Sequence, residues 1–473
     1  MLTLERIESF DQDKIKLLRE QVVGIDKKVP TLEGIKPYVN FDNAASTPTL
    51  KPVLDKLNEF LEWYSSIHRG SGFKSLLSSE AYEKARLRIG EFFKADLKKN
   101  TVIFGKNTTE ALNKLAYRFP FRKDSVVLSS MMEHHSNDLP WRKKANVIHI
   151  RITPDGRLDL NDLEEKLKRY KGRIDLVAIA GASNVTGFLN PIHQIAKMVH
   201  QVGAKLVVDA AQLAPHRPID LKPDSDPEHI DFLAFSAHKI YAPFGTGVLI
   251  GSKSFFEEGD PELVGGGTIE IVTLDMVMWA EPPDKEEAGS PNVVGAVALA
   301  EAIKFLNELG MDNLAYHEKN LCEYLLKKLP EIKGLSLYGD SSKDCEDRLG
   351  VFAFNFKGMH HALVSAILSY EGGIGVRHGC FCAHPYVKAL LGIGPEETEK
   401  YISQIKNNNR AKLPGAVRVS FGFYNNYEEI DYLIEWLKKI SAGKYKGEYI
   451  LDKTWGTYTP RGFKPDFERY FSL

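Results

Sequence analysis

Between about residue 50 and about residue 255, short apolar runs bounded by turn residues alternate with longer stretches whose apolar positions recur at helical spacing. Thr101–Phe104, Ser125–Leu128, Asn146–Ile150, Asp175–Ile179, Lys205–Val208, Asp231–Phe235 and Gly247–Ile250 read as strands, with helices at Tyr82–Phe93, Thr109–Tyr117, Leu160–Tyr170 and Ile192–Val202. Such alternation predicts an α/β domain built on a mostly parallel sheet covered by helices. Beyond Pro291 the pattern changes. Helical stretches Val293–Leu309 and Leu314–Leu329 precede strand-like Gly350–Phe356, helix-like His360–Tyr370, short strands Ile374–Arg377 and Ala416–Phe421, and a final helix Tyr427–Ile440. This predicts a smaller α+β C-terminal domain.

The expected organisation is an N-terminal helical segment (1–37), a large α/β domain (38–290), a connector helix with the small domain (291–440), and an aromatic-rich arm (441–473). Glu396–Pro414 is polar and reads as an exposed excursion. The arm carries Tyr445, Tyr449, Trp455, Tyr458, Phe463, Phe467, Tyr470 and Phe471, a density that predicts packing on its own domain or on a partner subunit.

Charge narrows the function classes. The 473 residues hold 62 Lys+Arg against 63 Asp+Glu, so the basic surplus of a nucleic-acid binder is absent. No apolar run reaches the roughly 18 residues of a membrane span. The first residues, MLTLERIESFDQDKIKLLRE, mix both charges and read as a short amphipathic helix, not a signal peptide. Four cysteines make no disulfide framework and suit a reducing, cytoplasmic location.

Three stretches carry chemistry. In DFLAFSAHKIYAPFGTG, Lys239 follows an apolar strand beside Ser236 and His238, where desolvation makes a lysine usable as a Schiff-base amine or general base. KLVVDAAQ delivers Asp209 at a strand's C-terminal end, where ligands of open α/β sheets bind. GKNTTEA follows TVIF and opens a helix, so backbone N–H groups with Thr108 and Thr109 suit a phosphate, to which Ser236 and His238 can add donors. Each stretch also has an ordinary structural reading: a lysine snorkelling to solvent, an aspartate or threonine capping a helix. Together, an aspartate for a pyridinium nitrogen, a lysine for an aldehyde and a phosphate cradle meet the demands of pyridoxal phosphate.

Eleven colinear segments resemble the fold-type I pyridoxal-phosphate enzymes of the class V aminotransferase family, and most of all its cysteine desulfurase and selenocysteine-lyase-like branch. They are NFDNAASTP from Asn40, IHRG from Ile67, NTTEA from Asn107, MEHHSN from Met132, SNVTG from Ser183, DAAQ from Asp209, SAHK from Ser236, GGGT from Gly265, EAGSPN from Glu287, RHGCFCAHP from Arg377 and RVS from Arg418. The resemblance implies that Lys239 carries the cofactor and shuttles protons at the substrate α-carbon, while Asp209 keeps the pyridine nitrogen protonated. It places His134 against the ring, Gln212 near the phenolic oxygen, and Asn184 where that edge and the substrate carboxylate are oriented. Thr108, Thr109, Ser236 and His238 match phosphate binders. Ser290 stands where the family has a threonine that reaches the phosphate from the other subunit, which implies a homodimer. Arg377, at the end of a short strand, would clamp the amino acid's α-carboxylate.

On the same alignment Cys382 falls on the desulfurase nucleophile, a thiolate that takes sulfur from L-cysteine, releases L-alanine and hands a persulfide to a sulfur-acceptor protein. His378, His384 and Arg377 stand nearby in sequence to lower its pKa. Cys380 and His378 depart from the familiar motif, which leaves Cys380 as bystander or second relay. A Cys-x-Cys pair without a second ligand pair does not read as a metal site, and no metal is expected. Cys322 reads as core and Cys345 as a surface thiol, while His360-His361 reads as a polar helix start. Another class V chemistry on an amino acid (aminotransferase, epimerase or β-lyase) shares Lys239, Asp209 and His134, and Cys382 is the residue that discriminates.

Overall fold

A computed structural model describes residues 12–339 and 345–473. They form two compact units, the first of residues 12–23, 46–183 and 188–316, the second of residues 24–45, 184–187, 317–339 and 345–473. The long helix Val293–Leu309, expected as a connector, lies wholly in the first unit. Of the predicted N-terminal helix, Gln12–Glu20 is helical, and the part before it lies outside the described residues.

The first unit is organised on seven strands: β1 (Asn100–Gly105), β2 (Val126–Ser130), β3 (Asn146–Ile150), β4 (Ile174–Ala180), β5 (Lys205–Asp209), β6 (Phe232–Ser236) and β7 (Gly247–Ser252). Their order is β1-β7-β6-β5-β4-β2-β3. Helices Thr108–Arg118, Leu160–Arg169 and Ile192–His200 connect β1 to β2, β3 to β4 and β4 to β5, the long crossovers that parallel pairing needs. β6 returns to β7 through a short connection instead, and β7 runs antiparallel to both its neighbours. The parallel register brings Ser130, Ala180, Asp209 and Ser236 to one end of the sheet, with Gly105 and Gly247 beside Ser236. Central strands such as β6 are buried on both faces, which is why they read as continuous apolar runs rather than alternating ones.

The second unit holds the antiparallel sheet β8 (Leu335–Tyr338), β9 (Val351–Phe356), β10 (Arg377–Gly379) and β11 (Ala416–Ser420), in the order β8-β9-β11-β10. Helices His361–Tyr370 and Tyr427–Ser441 pack on it around Phe352, Phe354, Ile367, Val417, Leu433 and Trp436. Asn426 closes a capping box with Glu429 at the start of the last helix. The expected strand Ile374–Arg377 is two strands. Ile374–Gly375 pairs in parallel with Val39–Asn40, whereas Arg377 opens β10 against β11 and so begins a strand where it was expected to end one.

Cys345 corrects the sequence reading. Its neighbours are polar, but its own side chain is fully buried and faces the thiol of Cys322 in the second unit's core. His360 caps the helix His361–Tyr370, as a polar helix start should. The polar excursion contains the helix Pro395–Lys406, which buries none of its residues. Within the arm, Tyr449–Asp452 and Thr457–Pro460 form a hairpin, and Tyr445 and Tyr449 pack against the core, while Trp455, Phe467, Tyr470 and Phe471 stay exposed. No helix among the described residues is long and apolar enough to cross a membrane.

Candidate active site

In the first unit the sequence-predicted residues gather at the sheet end described above. β6 closes at Ser236, and a single 3-10 turn, Ala237–Lys239, carries His238 and Lys239 past it. Asp209 ends β5 as a buried residue, its Oδ1 taking the Ala211 N–H at 2.9 Å. Burial raises its pKa, and the positive charge of Lys239 pulls it back down. Burial and the same lysine lower His238 to about 4, which keeps that imidazole neutral.

The helix Thr108–Arg118 begins beside Ser236. Its cap is Asn107, whose side chain accepts the Glu110 N–H, so the threonine hydroxyls are not spent on capping. Thr108 meets Ser236 instead, through its hydroxyl at 2.6 Å and its N–H at 2.7 Å. Gly247 permits this approach: a Cβ there would stand 2.4 Å from the Asn107 backbone. Thr109 is exposed, its hydroxyl 2.7 Å from that of Ser136. Ser136 in turn donates its N–H to His134 Nδ1 at 3.2 Å, which assigns the neutral ring's proton to Nε2. Gln212 is buried three residues after Asp209, and Ser290 is exposed in the turn before the helix Val293–Leu309.

Glu133 lies in the MEHHSN segment, whose sequence assigns it no role. It is fully buried, and Ser130 Oγ and Asn137 Nδ2 donate to its carboxyl at 2.5 and 2.6 Å. Burial, reinforced by the charge of Asp209 and opposed by these hydrogen bonds, pushes its pKa up to about 8. Glu133 therefore stays protonated near neutrality and adds no second negative charge beside Asp209.

These groups fit pyridoxal phosphate by their chemistry. A helix N-terminus with hydroxyls suits a phosphate, a buried carboxylate suits a pyridinium, and an amine stands close enough to act on that carboxylate.

Asn184, Arg377 and Cys382 belong to the second unit. Arg377 extends its Nε and Nη2 to the carboxylate of Asp42 at 2.8–3.1 Å, the two-pronged geometry expected of a carboxylate clamp. Arg418, inside β11, reaches Asp42 with Nη2 at 3.2 Å and the carbonyl of Asn184 with Nη1 at 2.9 Å. Its buried Nε has no partner, and burial lowers its pKa to about 10. A charged residue in the middle of Ala-Val-Arg-Val-Ser was the signal for Arg418 in the sequence.

Cys382 sits on a turn in which Phe381 and Cys382 both take left-handed backbone angles, φ of 52° and 55°. Two consecutive residues with side chains rarely adopt this region, and such strain concentrates at functional loops. The turn is held by Ala383 N–H on the Cys380 carbonyl at 2.8 Å and by Asn184 Nδ2 on the Phe381 carbonyl at 2.7 Å. Phe381 is buried with its ring under the Arg418 guanidinium, and Cys382 is thereby lifted into solvent. Cys380 faces inward, its Sγ on the Pro414 carbonyl at 3.2 Å and its pKa raised to about 11 by burial.

The family described as aminotransferase class-V matches residues 39–433. A cysteine desulfurase of Haloferax volcanii is 35% identical over 428 residues, covering 88% of this chain and 93% of that one. A cysteine desulfurase of Shigella sonnei is 33% identical over 446 residues, covering 91% of this chain and 98% of its own. Among solved structures, the apo cysteine desulfurase from Thermococcus onnurineus superposes with a TM-score of 0.79 at 31% identity, over 93% of this chain and all of that one. A cysteine desulfurase from Escherichia coli gives 0.75 at 26% identity, with the same coverage.

Proposed function

Since this chain belongs to the class V aminotransferase family, we propose that it is a cysteine desulfurase that converts L-cysteine to L-alanine and stores the sulfur as a persulfide on Cys382. The observation that carries the reading is the thiol loop: of four cysteines, only Cys382 is exposed, on a strained turn whose neighbours include two guanidiniums.

Pyridoxal phosphate, when bound, supplies the electron sink that acidifies the substrate Cα–H and loosens its Cβ–Sγ bond. Lys239 holds the cofactor and moves protons at the substrate α-carbon. Asp209 keeps the ring nitrogen protonated, and the neutral carboxyl of Glu133 leaves that charge undivided. His134 would lie against the ring. Gln212 and Asn184 orient its oxygen-bearing edge, and Thr108, Thr109, Ser236 and neutral His238 hold the phosphate. Ser290 reaches the phosphate of a second copy, which makes the working protein a homodimer. Arg377 binds the α-carboxylate, and Arg418 offers it the unpartnered Nε.

The Cys382 thiolate attacks the substrate sulfur. An S–S bond forms, the Cβ–S bond breaks, and its electron pair stays on carbon, which takes a proton to become alanine. The persulfide sulfur then passes to an acceptor thiol or leaves as sulfide when a reductant is present. A reducing, cytoplasmic compartment suits this free thiol.

The test gives the cofactor-loaded protein L-cysteine with dithiothreitol and measures alanine and sulfide. Equal amounts of both are expected. Cys382→Ala should lower turnover by a factor of about 100 or more, whereas Cys380→Ala should keep most of it. Loss with Cys380→Ala alone would move the nucleophile, and a loaded enzyme that makes no alanine would end the desulfurase reading.

A further inference from the structure

At the opposite end of β5 and β6 from Lys239, three histidines meet one loop. His193 and His200 lie seven positions apart on the helix Ile192–His200, and His229 lies just before β6. Each points Nδ1 at a main-chain carbonyl: His229 at Asp226 (2.7 Å), His200 at Pro227 (2.8 Å) and His193 at Glu228 (2.9 Å). A carbonyl only accepts, so every one of these rings carries its proton on Nδ1. That leaves Nε2 of a neutral ring as a bare lone pair, the arrangement that metal-binding histidines adopt when a backbone carbonyl fixes their tautomer.

The lone pairs of His200 and His229 face one carboxylate. His200 Nε2 is 2.9 Å from Asp231 Oδ2, and His229 Nε2 is 3.6 Å from Asp231 Oδ1. The two rings stack at 4.1 Å with a 14° tilt, which sets both Nε2 atoms on the same side. All three ligand atoms lie within 4.8 Å of one another. Lone pairs opposed to a carboxylate repel unless a proton or a metal cation stands between them, and a metal ion at this point would replace the shared protons. Ligand atoms sharing a tetrahedral Zn2+ are spaced roughly 3.4 Å apart, between the two distances found here.

We propose that His200, His229 and Asp231 form a binding site for a divalent first-row transition ion such as Zn2+, separate from the desulfurase site. The surroundings favour a cation. Asp224, Asp226 and Glu228 line the loop, although Lys222 pairs with Glu228 at 2.5 Å. Asp231 is mostly buried, and the Leu206 N–H donates to its Oδ2 at 2.8 Å, which fixes the carboxylate's orientation. Lys205 Nζ is 2.9 Å from Asp231 Oδ1 and competes for that oxygen, but its side chain is nearly half exposed and free to swing away. His200 and His229 are each partly exposed, so an ion can enter from solvent. His2Asp with open positions is a donor set suited to zinc, nickel or iron. Bound there, the ion ties the end of the helix Ile192–His200 to the start of β6.

The cofactor-loaded protein, stripped of metal, is dialysed to equilibrium against Ni2+ at pH 8. One ion per chain should bind, at least tenfold more weakly in His200→Gln and in His229→Gln, and more tightly in Lys205→Met. Cysteine turnover should not change in these variants. Saturating Ni2+ should raise the melting midpoint of the wild type and leave that of the double glutamine variant unmoved. The proposal fails if wild type binds no Ni2+ at 0.1 mM, or if the histidine variants bind as it does. It fails equally if the bound ion disappears with Cys382→Ala, which would place it on the thiol loop.

Discussion

A thiol in this chain is reactive or inert according to which way one turn points it. Cys380 and Cys382 are separated by a single residue, and their environments differ completely. Cys380 is held on the Pro414 carbonyl with its pKa near 11, so only about one molecule in a thousand carries its thiolate at pH 8. Cys382 stands in solvent. Iodoacetamide at pH 8 should therefore alkylate Cys382 first, with Cys380 slower by a factor of about 100 or more; peptide mass spectrometry over a time course reads the order. Comparable rates would show that the turn does not separate them. The sequence displayed the pair and, through the resemblance, the role of Cys382, but not the contrast, because burial of Cys380 depends on Pro414, far along the chain. Glu133 and Arg418 escaped for a related reason. Each is a charged residue whose role lies in what buries it, and neighbouring residues do not state that. Cys345 misled in the opposite sense, with polar neighbours and a core side chain.

At the scale of elements, strands and crossover helices of the first unit were legible because a parallel sheet imposes long apolar runs and helical periods in regular alternation. Residues at strand ends were legible with them, and so Asp209, Ser236 and Lys239 stand together at one sheet end. What the pattern did not supply was the pairing of short segments across long separations, such as Ile374–Gly375 with Val39–Asn40. Nor did it supply the exception in strand direction. β7 is antiparallel, and its first residue, Gly247, lies against the Asn107 backbone. A methyl group there has no room and must push that segment aside. Gly247→Ala should destabilise the protein by about 1–3 kcal/mol and loosen the Thr108–Ser236 contact. A lower thermal midpoint together with weaker retention of pyridoxal phosphate checks this. A variant with unchanged cofactor affinity would show that the strand end tolerates the shift.

For the molecule as a whole, buried ionisable groups shape the dependence of stability on pH. His238 and His361 are depressed by burial to about 4 and about 3, so they are neutral when folded and take up protons when unfolded. Their contribution favours folding above the unfolded imidazole pKa of roughly 6.5 and is lost as pH falls toward those folded values. Glu133 acts at the other side. Its folded pKa, about 8, lies above the ordinary carboxyl value of 4.5, so the folded state holds a proton that the unfolded state releases. That stability is fully present below about pH 4.5 and is lost as pH rises to about 8. Glu133→Gln removes this dependence. Relative to wild type, the variant should gain stability between pH 5 and pH 8 by at most roughly 1.4 kcal/mol per pH unit, then hold a constant difference above pH 8. Urea unfolding midpoints along that series measure it, and a difference that does not vary with pH would mean that Glu133 is ionised in the folded protein.

The division of the chain has a consequence for its synthesis. The path passes from one unit to the other at residues 23, 45, 183, 187 and 316. Residues 24–45 are made hundreds of residues before their partners, Ile374–Gly375 and Ser420. At about 5–20 residues per second, this segment waits tens of seconds before the second unit can close around it. Val39 and Phe41, core residues of the finished unit, are exposed throughout that interval. The nascent chain thus carries an apolar segment without its β-partners until the stretches around residues 374 and 420 have been made.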